Sequence, residues 1–315
     1  MKRVCIIGCG SIGSLYAAHL ACVAEVWAFV RRTDHARDLN EHGLRVSGTH
    51  EFHAILKATS DPRELPQFDL GIVSCKATQT REAITPVAHL FRNGVILSSQ
   101  NGLGSEEVIA DIAQTYVMRG TTFMSGTRIT DTHVRYELDT ATWMGPFEPT
   151  KTPFALVQQA TALINSSGLK AVALEDARPA QWSKLIFNSS VNAVAALTGL
   201  PHSFHFAEER EFADLGHLLH ALIEEGKAVA KGLGIGLYED PWEMNKVGSQ
   251  TDHPPSMLYD IRHKLKTEVD FLGGAIAREA NRAGIPAPLH TALYQLVKAR
   301  EVSWVYEGRE KAAAK

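Results

Sequence analysis

Apolar residues fall in short unbroken runs through the first half of the chain and at helical spacing through the second. Val4 to Ile7, "FDLGIVS" and "GVILSS" are compact runs bounded by glycine and polar residues, the pattern of strands buried in a parallel sheet. "EVWAFV" reads as a further strand of that set. "GTTFMSGTRI", "HVRYELD" and "ATWMGP" read as short strands in a hairpin arrangement that extends the sheet. Strand signals fade near residue 175. Helical periods then cover 181–198, 206–234, 257–263, 267–283 and 288–301, broken by "GLPHSF", "NKVGSQTDHPPS" and "GIPAP". The pattern predicts an α/β chain of two domains, a doubly wound sheet over 1–175 and an all-helical domain over 176–315.

The first strand runs into "GCGSIG", and an apolar-faced helix follows it. Strand, then glycines at 8, 10 and 13, then helix is the Rossmann-type dinucleotide-binding arrangement. Gly8 permits the tight turn. Gly10 lets a pyrophosphate approach the backbone, and Gly13 lets the helix lie close on the strand. Cys9, Ser11 and Ile12 complete the loop, whose helix N-terminus offers unpaired N–H groups to phosphate. The second strand selects the nucleotide. An NAD site needs a carboxylate at the strand tip, whereas this tip reads Val30-Arg31-Arg32. A guanidinium there suits a 2′-phosphate, so NADP(H) is the expected cofactor and Arg31 its reader. The alternative is that both arginines are solvated turn residues. Lys76 and Asn101 end the next two buried strands, where ligands of open parallel sheets bind.

Composition narrows the class. The 315 residues are 45% hydrophobic and 21% charged with a formal charge of -3, so no strong field recruits nucleic acid or an acidic membrane. No apolar run reaches transmembrane length. The apolar run in "MKRVCIIGCG" meets glycine too early for a signal-peptide core. The four cysteines form no CxxC pair, which fits free thiols in a reducing cytoplasm. The histidines show no metal-ligand spacing. The long helices leave the oligomeric state open, a homodimer included.

The helix "QWSKLIFNSSVNAVAALTG" carries Lys184, Asn188 and Asn192 four residues apart, on one stripe ~12 Å long. A solvated face usually carries several charges and good helix formers. This one carries amides beside Ser189 and Ser190, which fits the wall of a polar cleft better. Farther on, Ser256 follows two prolines and reads as a helix N-cap. Thr267 with Asp270 resembles a capping box and marks a second helix start. A break at 264–266 matters, because unbroken helix would hold Ser256 and Glu268 ~18 Å apart. Gly273-Gly274 reads as a close packing point inside that second helix.

With these residues in view, the chain resembles the ketopantoate reductase (2-dehydropantoate 2-reductase) family over nearly its whole length. The resemblance runs through "GCGSIG", Arg31, Lys76, "QNGLG", "RGTT", "WSKLIFNSSVNAVAALTG", "SMLYDI" and "TEVDFLGGAIAREANRAGIPAP". It implies NADPH-dependent reduction of a 2-oxo acid, ketopantoate first, on the way to pantothenate and coenzyme A. A related reductase of another 2-oxo acid, or an NADP(H)-sensing protein without catalysis, are the alternatives. By resemblance Lys184 is the general acid, and Asn188, Asn192 and Ser256 hold the substrate. Glu268 binds the nicotinamide ribose and keeps Lys184 charged. Asn101 lies between nicotinamide and substrate, and Lys76 and Gly126 lie beside the cofactor. Four places depart from the family's usual pattern. His202-Ser203 replaces an Asn-Gly pair, His253 replaces an asparagine, Phe123-Met124-Ser125 follows "GTT", and Lys264-Leu265-Lys266 replaces a Gly-Arg-Pro break. All concern the substrate side rather than the cofactor side.

Overall fold

A computed structural model describes residues 1–203, 206–207, 213–249 and 254–313. Contacts divide the chain into two compact units. The first comprises Met1–Gln100 with Gly104–Ala177, and the second comprises Arg178–Lys315 together with Asn101–Leu103.

In the first unit the chain builds β1 (Arg3–Ile7), α1 (Ser11–Ala21), β2 (Glu25–Phe29), α2 (Thr33–His42), β3 (Leu44–Gly48), β4 (Phe52–Ala54), β5 (Lys57–Thr59) and β6 (Leu70–Val73). There follow α3 (Thr80–Ile84), β7 (Val95–Ser98), α4 (Ser105–Ala113), β8 (Tyr116–Thr122), β9 (Ser125–Thr130), β10 (His133–Leu138), β11 (Thr142–Pro146), α5 (Phe154–Ser166) and β12 (Ala171–Ala173). The main sheet has the order β12-β11-β8-β7-β6-β1-β2-β5 and is parallel except where β11 meets β8. Central strands β6 and β7 are buried at every residue, as the unbroken apolar runs require of a sheet covered on both faces. One face packs with α1 and α5 through Leu15, Leu20, Val157 and Ile164. The other packs through Ile84, Phe91 and Ile109.

Strand order reverses at β1, which pairs with β2 on one side and β6 on the other. Ile7 is level with both Phe29 and Val73. The register therefore brings Gly8, Val30 and Ser74 to one edge, sealed by Gly8 N–H donating to the Phe29 carbonyl and Ser74 N–H to that of Ile7. Such a reversal is where open α/β sheets bind ligands.

One expectation fails here. β9 and β10 do not extend the main sheet. They join β3 and β4 in a separate sheet, β4-β3-β10-β9, which packs against α1. Of the three stretches expected to extend the main sheet, Gly120–Thr122 lies in β8 and "ATWMGP" supplies β11, which joins the main sheet antiparallel to β8. Gly126 shows why the hairpin seats there. A Cβ at that position would lie 2.7 Å from the Arg135 carbonyl and 3.1 Å from Leu15 on α1.

The second unit contains α6 (Arg178–Thr198), α7 (Ala213–Gly232), α8 (Pro241–Gly248), α9 (Ser256–Arg262), α10 (Gly273–Ala283) and α11 (Pro288–Ala313). α6 is central and touches the other five, which accounts for its mostly apolar surface. α7 starts later than the expected 206, with 208–212 outside the described residues, and α11 runs past the expected 301. The helix expected from 267 begins at Gly273 instead, after a turn over 268–272.

Candidate active site

In the first unit, the glycine loop has the shape that its spacing predicts. Gly8 adopts φ +94°, where a side chain would be strained, and a Cβ there would meet Cys75 at 2.8 Å. A Cβ on Gly13 would lie 1.9 Å from the Gly8 carbonyl oxygen, so α1 can approach β1 only with glycine there. Gly10 differs: nothing stands within 4 Å of its missing side chain. Gly10 is also the N-cap of α1, and no side chain caps that helix end. Open space beside an uncapped helix N-terminus is a cradle that suits the phosphates of a dinucleotide. Cys9 is buried, and burial pushes its thiol up to about 12, so it is inert packing. Ser11 accepts a hydrogen bond from the Arg128 N–H at 3.2 Å, and Ile12 packs against the core.

Arg31 is exposed just past β2 and makes no hydrogen bond or ion pair among the described residues. Arg32 is otherwise committed. Its guanidinium donates to Asp131 and, at 3.1 Å, to Asp34. Arg128 also faces Asp131, at 3.4 Å. No spacing rule exposes this link, since Asp131 lies almost a hundred residues from Arg32 and arrives with the β9–β10 hairpin. Lys76 is half-buried just beyond β6 and precedes a short 3-10 turn at Ala77–Gln79.

In the second unit, the polar stripe of α6 lies beside three other segments. The Lys184 ammonium donates to Asn101 Oδ1 at 2.7 Å. Burial lowers the amine to about 8, while the nearby Glu268 carboxylate opposes that shift. Burial thus outweighs the carboxylate and leaves the amine well below the ordinary range of a lysine. Asn101 is itself pinned. Gln181 donates to the Gly102 carbonyl at 3.1 Å, and Leu103 N–H donates to the Phe271 carbonyl at 2.9 Å. Gly102 sits at φ +91°, and a Cβ would be 2.1 Å from that same carbonyl. Gln181 and Phe271 carry no functional signature in the sequence, yet they place Asn101.

Asn188 is half-buried, and its amide makes no hydrogen bond among the described residues. Asn192 is almost fully buried and engaged on both sides. Its Oδ1 accepts from Met257 N–H at 3.1 Å and from the Ser256 hydroxyl at 3.3 Å, and its Nδ2 donates to the Asn188 carbonyl at 3.0 Å. Asn192 therefore caps α9 from outside. Ser256 is not the N-cap that its position suggests; it is the first residue of α9, exposed, with its hydroxyl on Asn192. Ser189 and Ser190 do not join the polar face. Each is buried and donates back to a carbonyl four residues earlier, at 2.7 and 2.9 Å.

Thr267 and Asp270 form no capping box. The Thr267 hydroxyl donates to Glu301 at 2.6 Å and accepts from Val269 N–H, while Asp270 takes the Tyr294 hydroxyl and the Lys298 ammonium. Gly274 does mark close packing, with a Cβ there 2.8 Å from the Tyr294 ring, but at the start of α10 rather than inside it. His202 is buried between Phe187 and Phe206, with Nε2 on Asn245 at 2.9 Å. Burial holds its pKa below the ordinary value against the Asn245 hydrogen bond, so it is a neutral packing residue. His253 lies outside the described residues. Phe123 meets Trp143 edge to face, and Met124 is buried in the first unit's core.

All four cysteines are free. Among the described residues no His, Cys, Asp or Glu cluster could hold a metal, and no helix is long and apolar enough to cross a membrane.

Comparison with known proteins adds an independent line. The family profile described as "Ketopantoate reductase PanE/ApbA" matches residues 4–149, and its C-terminal counterpart matches 176–301. The 2-dehydropantoate 2-reductase of Pyrococcus abyssi is 28% identical over 303 residues, covering 95% of this chain and 98% of that protein. That of Archaeoglobus fulgidus is also 28% identical over 303 residues, covering 96% and 98%. Among solved structures, a PanE/ApbA family ketopantoate reductase from Ralstonia eutropha superposes with a TM-score of 0.84 at 24% identity, over 96% of this chain and 99% of that one. A D-mandelate dehydrogenase with NADH and anilino(oxo)acetate superposes at 0.85 with 22% identity and the same coverage.

Proposed function

The chain belongs to the ketopantoate reductase family of oxidoreductases, and on that premise we propose that it reduces 2-dehydropantoate to pantoate with NADPH, in the cytoplasm. The observation that carries this reading is the ammonium of Lys184, held by Asn101 and coupled to Glu268. Bound NADPH would supply the hydride to the ketone carbon. As the ketone oxygen gains negative charge, Lys184 stabilises it and donates the proton. Asn101 fixes the amine's direction, and Glu268 keeps it charged and binds the nicotinamide ribose. Asn188, with its uncommitted amide, and the exposed Ser256 hydroxyl bind the 2-oxo acid. Asn192 contributes by fixing Ser256. The loop from Gly8 to Gly13 cradles the pyrophosphate, with Lys76 and Gly126 also beside the cofactor.

Arg31 supports NADPH over NADH. Its guanidinium is exposed and uncommitted, whereas Arg32 is neutralised by Asp131 and Asp34. Arg31→Ala raises the KM for NADPH at least tenfold, the scale of a charge-assisted phosphate contact, and leaves that for NADH nearly unchanged. Equal changes for both cofactors would remove Arg31 from the 2′-phosphate site.

The amine at about 8 sets the pH behaviour. The acid form carries the proton, so kcat for reduction is level below that pH and falls as pH rises through it. A rate still level at pH 9 would argue against a lysine acid.

A second reading is a reductase of a different 2-oxo acid. It is favoured by His202-Ser203, which stands where the family usually has Asn-Gly, and His202 is spent on Asn245. A panel of 2-oxo acids, followed by NADPH absorbance and ranked by kcat/KM, decides between the two. Tight NADPH binding without turnover on any member would leave a cofactor-sensing protein.

A further inference from the structure

Glu268 lies in a turn, and that turn is held by one face of α11. Tyr294, Lys298 and Glu301 follow at four- and three-residue steps, so they share a face. Glu301 Oε1 accepts both the Thr267 N–H at 2.8 Å and the Thr267 hydroxyl at 2.6 Å. Asp270 accepts from the Tyr294 hydroxyl at 2.9 Å and the Lys298 ammonium at 3.0 Å. Lys298 also faces Glu301 at 3.5 Å, which closes the network. Glu268 is thus bracketed by two anchored residues, one directly before it and one two places after.

We propose that Glu301, acting through Thr267, is a positioning residue that sets the Glu268 carboxylate against the Lys184 ammonium. The proposal rests on the reading of Lys184 as the acid. Thr267 is fully buried, so water cannot replace a lost partner for its N–H and hydroxyl. Bonds to a carboxylate are short and directional, which suits them to fix a turn. A helix start at Thr267 would have satisfied these groups locally. The chain instead spends them on a residue 34 positions away, and the carboxylate that the site needs sits immediately beside that contact.

Lys184 on α6 interacts with Glu268, and the neighbouring Asp270 faces Lys266, Arg278 on α10 and Lys298 on α11, with Glu301 beside Lys298. Loss of Glu301 changes this field by itself. A second variant without a charge change is therefore needed.

The test follows Lys184 directly. Lysines of the whole enzyme are reductively methylated with 13C-formaldehyde and a borane reductant, the Lys184 resonance is assigned by its absence in Lys184→Arg, and its titration midpoint is read by NMR. Thr267→Val removes one hydroxyl and no charge; Glu301→Ala removes the anchor; Glu301→Gln keeps an acceptor. The midpoint falls by about 1 pH unit in Glu301→Ala, the scale of one displaced opposite charge. It falls in the same direction in Thr267→Val and returns most of the way in Glu301→Gln. The alkaline limb of kcat moves with it. Glu268→Gln sets the largest shift available.

An unmoved midpoint in folded Thr267→Val and Glu301→Ala, with only a lower Tm, would overturn the proposal and leave a purely structural contact. Where Glu301→Ala does not fold, Thr267→Val decides alone. The NMR readout does not need turnover, so it stands apart from the test of the acid itself. Full activity in Lys184→Ala removes the acid reading, whereas a dead Lys184→Ala with unmoved midpoints removes only the role of Glu301.

Discussion

Lys184→Ala lowers kcat for ketone reduction by ~10²–10⁴-fold, the range for a positioned proton donor, while the Kd for NADPH stays close to the parent value. The asymmetry follows from where the groups lie. Lys184 belongs to the helical unit with Asn101 and Glu268, whereas the proposed phosphate cradle of Gly8, Gly10 and Gly13 belongs to the other. Two losses add up at the amine. On this reading the developing negative charge on the substrate oxygen loses the Lys184 cation, and the proton must come from water. The fold tolerates the change, because alanine suits a helix and Lys184 is only partly buried. Stopped-flow absorbance at saturating NADPH and substrate measures the first quantity, and fluorescence titration measures the second. Parent turnover in a folded Lys184→Ala would end the catalytic assignment. A large loss of NADPH affinity instead would move Lys184 to the cofactor side.

The second large effect is at the glycine loop, where two neighbouring glycines respond in opposite ways. Gly13→Val places its Cβ 1.9 Å from the Gly8 carbonyl oxygen and 3.2 Å from Ser74. The obstacle is backbone and cannot rotate away, so α1 must lift from β1. That places the cost at or above the top of the ~1–3 kcal/mol range for overpacking, with a lowered Tm and no measurable NADPH binding. Gly10→Ala meets nothing within 4 Å, so its Tm stays at the parent value. NADPH binding nevertheless weakens several-fold, because the methyl group occupies the space through which phosphate approaches. Calorimetric melting with NADPH titration of both variants checks the contrast. Equal affinity in Gly10→Ala and the parent would show that the cradle is not where the pyrophosphate lies.

Much of this architecture is legible in the chain itself. The unbroken apolar runs at β1, β6 and β7 specify buried parallel strands, because side chains on both faces must leave water. The GxGxxG spacing specifies the loop, because each glycine answers a local steric need. The four-residue spacing of Lys184, Asn188 and Asn192 places them on one stripe, because helix geometry leaves no other arrangement. Local rules failed where a polar side chain had two competing partners. Ser256, Thr267 and Asp270 all look like helix caps, since the cap motif is a matter of a few adjacent residues. In the folded chain their oxygens go to Asn192, Glu301, Tyr294 and Lys298, all contributed by other helices.

Sequence alone thus determined the buried strands β1, β6 and β7, the glycine loop and which side chains of α6 share a face, since these depend on period and on sterics within a few residues. Only the tertiary structure decided that Asn101 meets Lys184 across 83 positions, that Asp131 silences Arg32, and that the hairpin of β9 and β10 joins a sheet of its own. Those outcomes turn on which buried donors and acceptors find one another once the backbone has folded. A hydrogen bond between distant residues leaves no periodic trace in the chain that makes it.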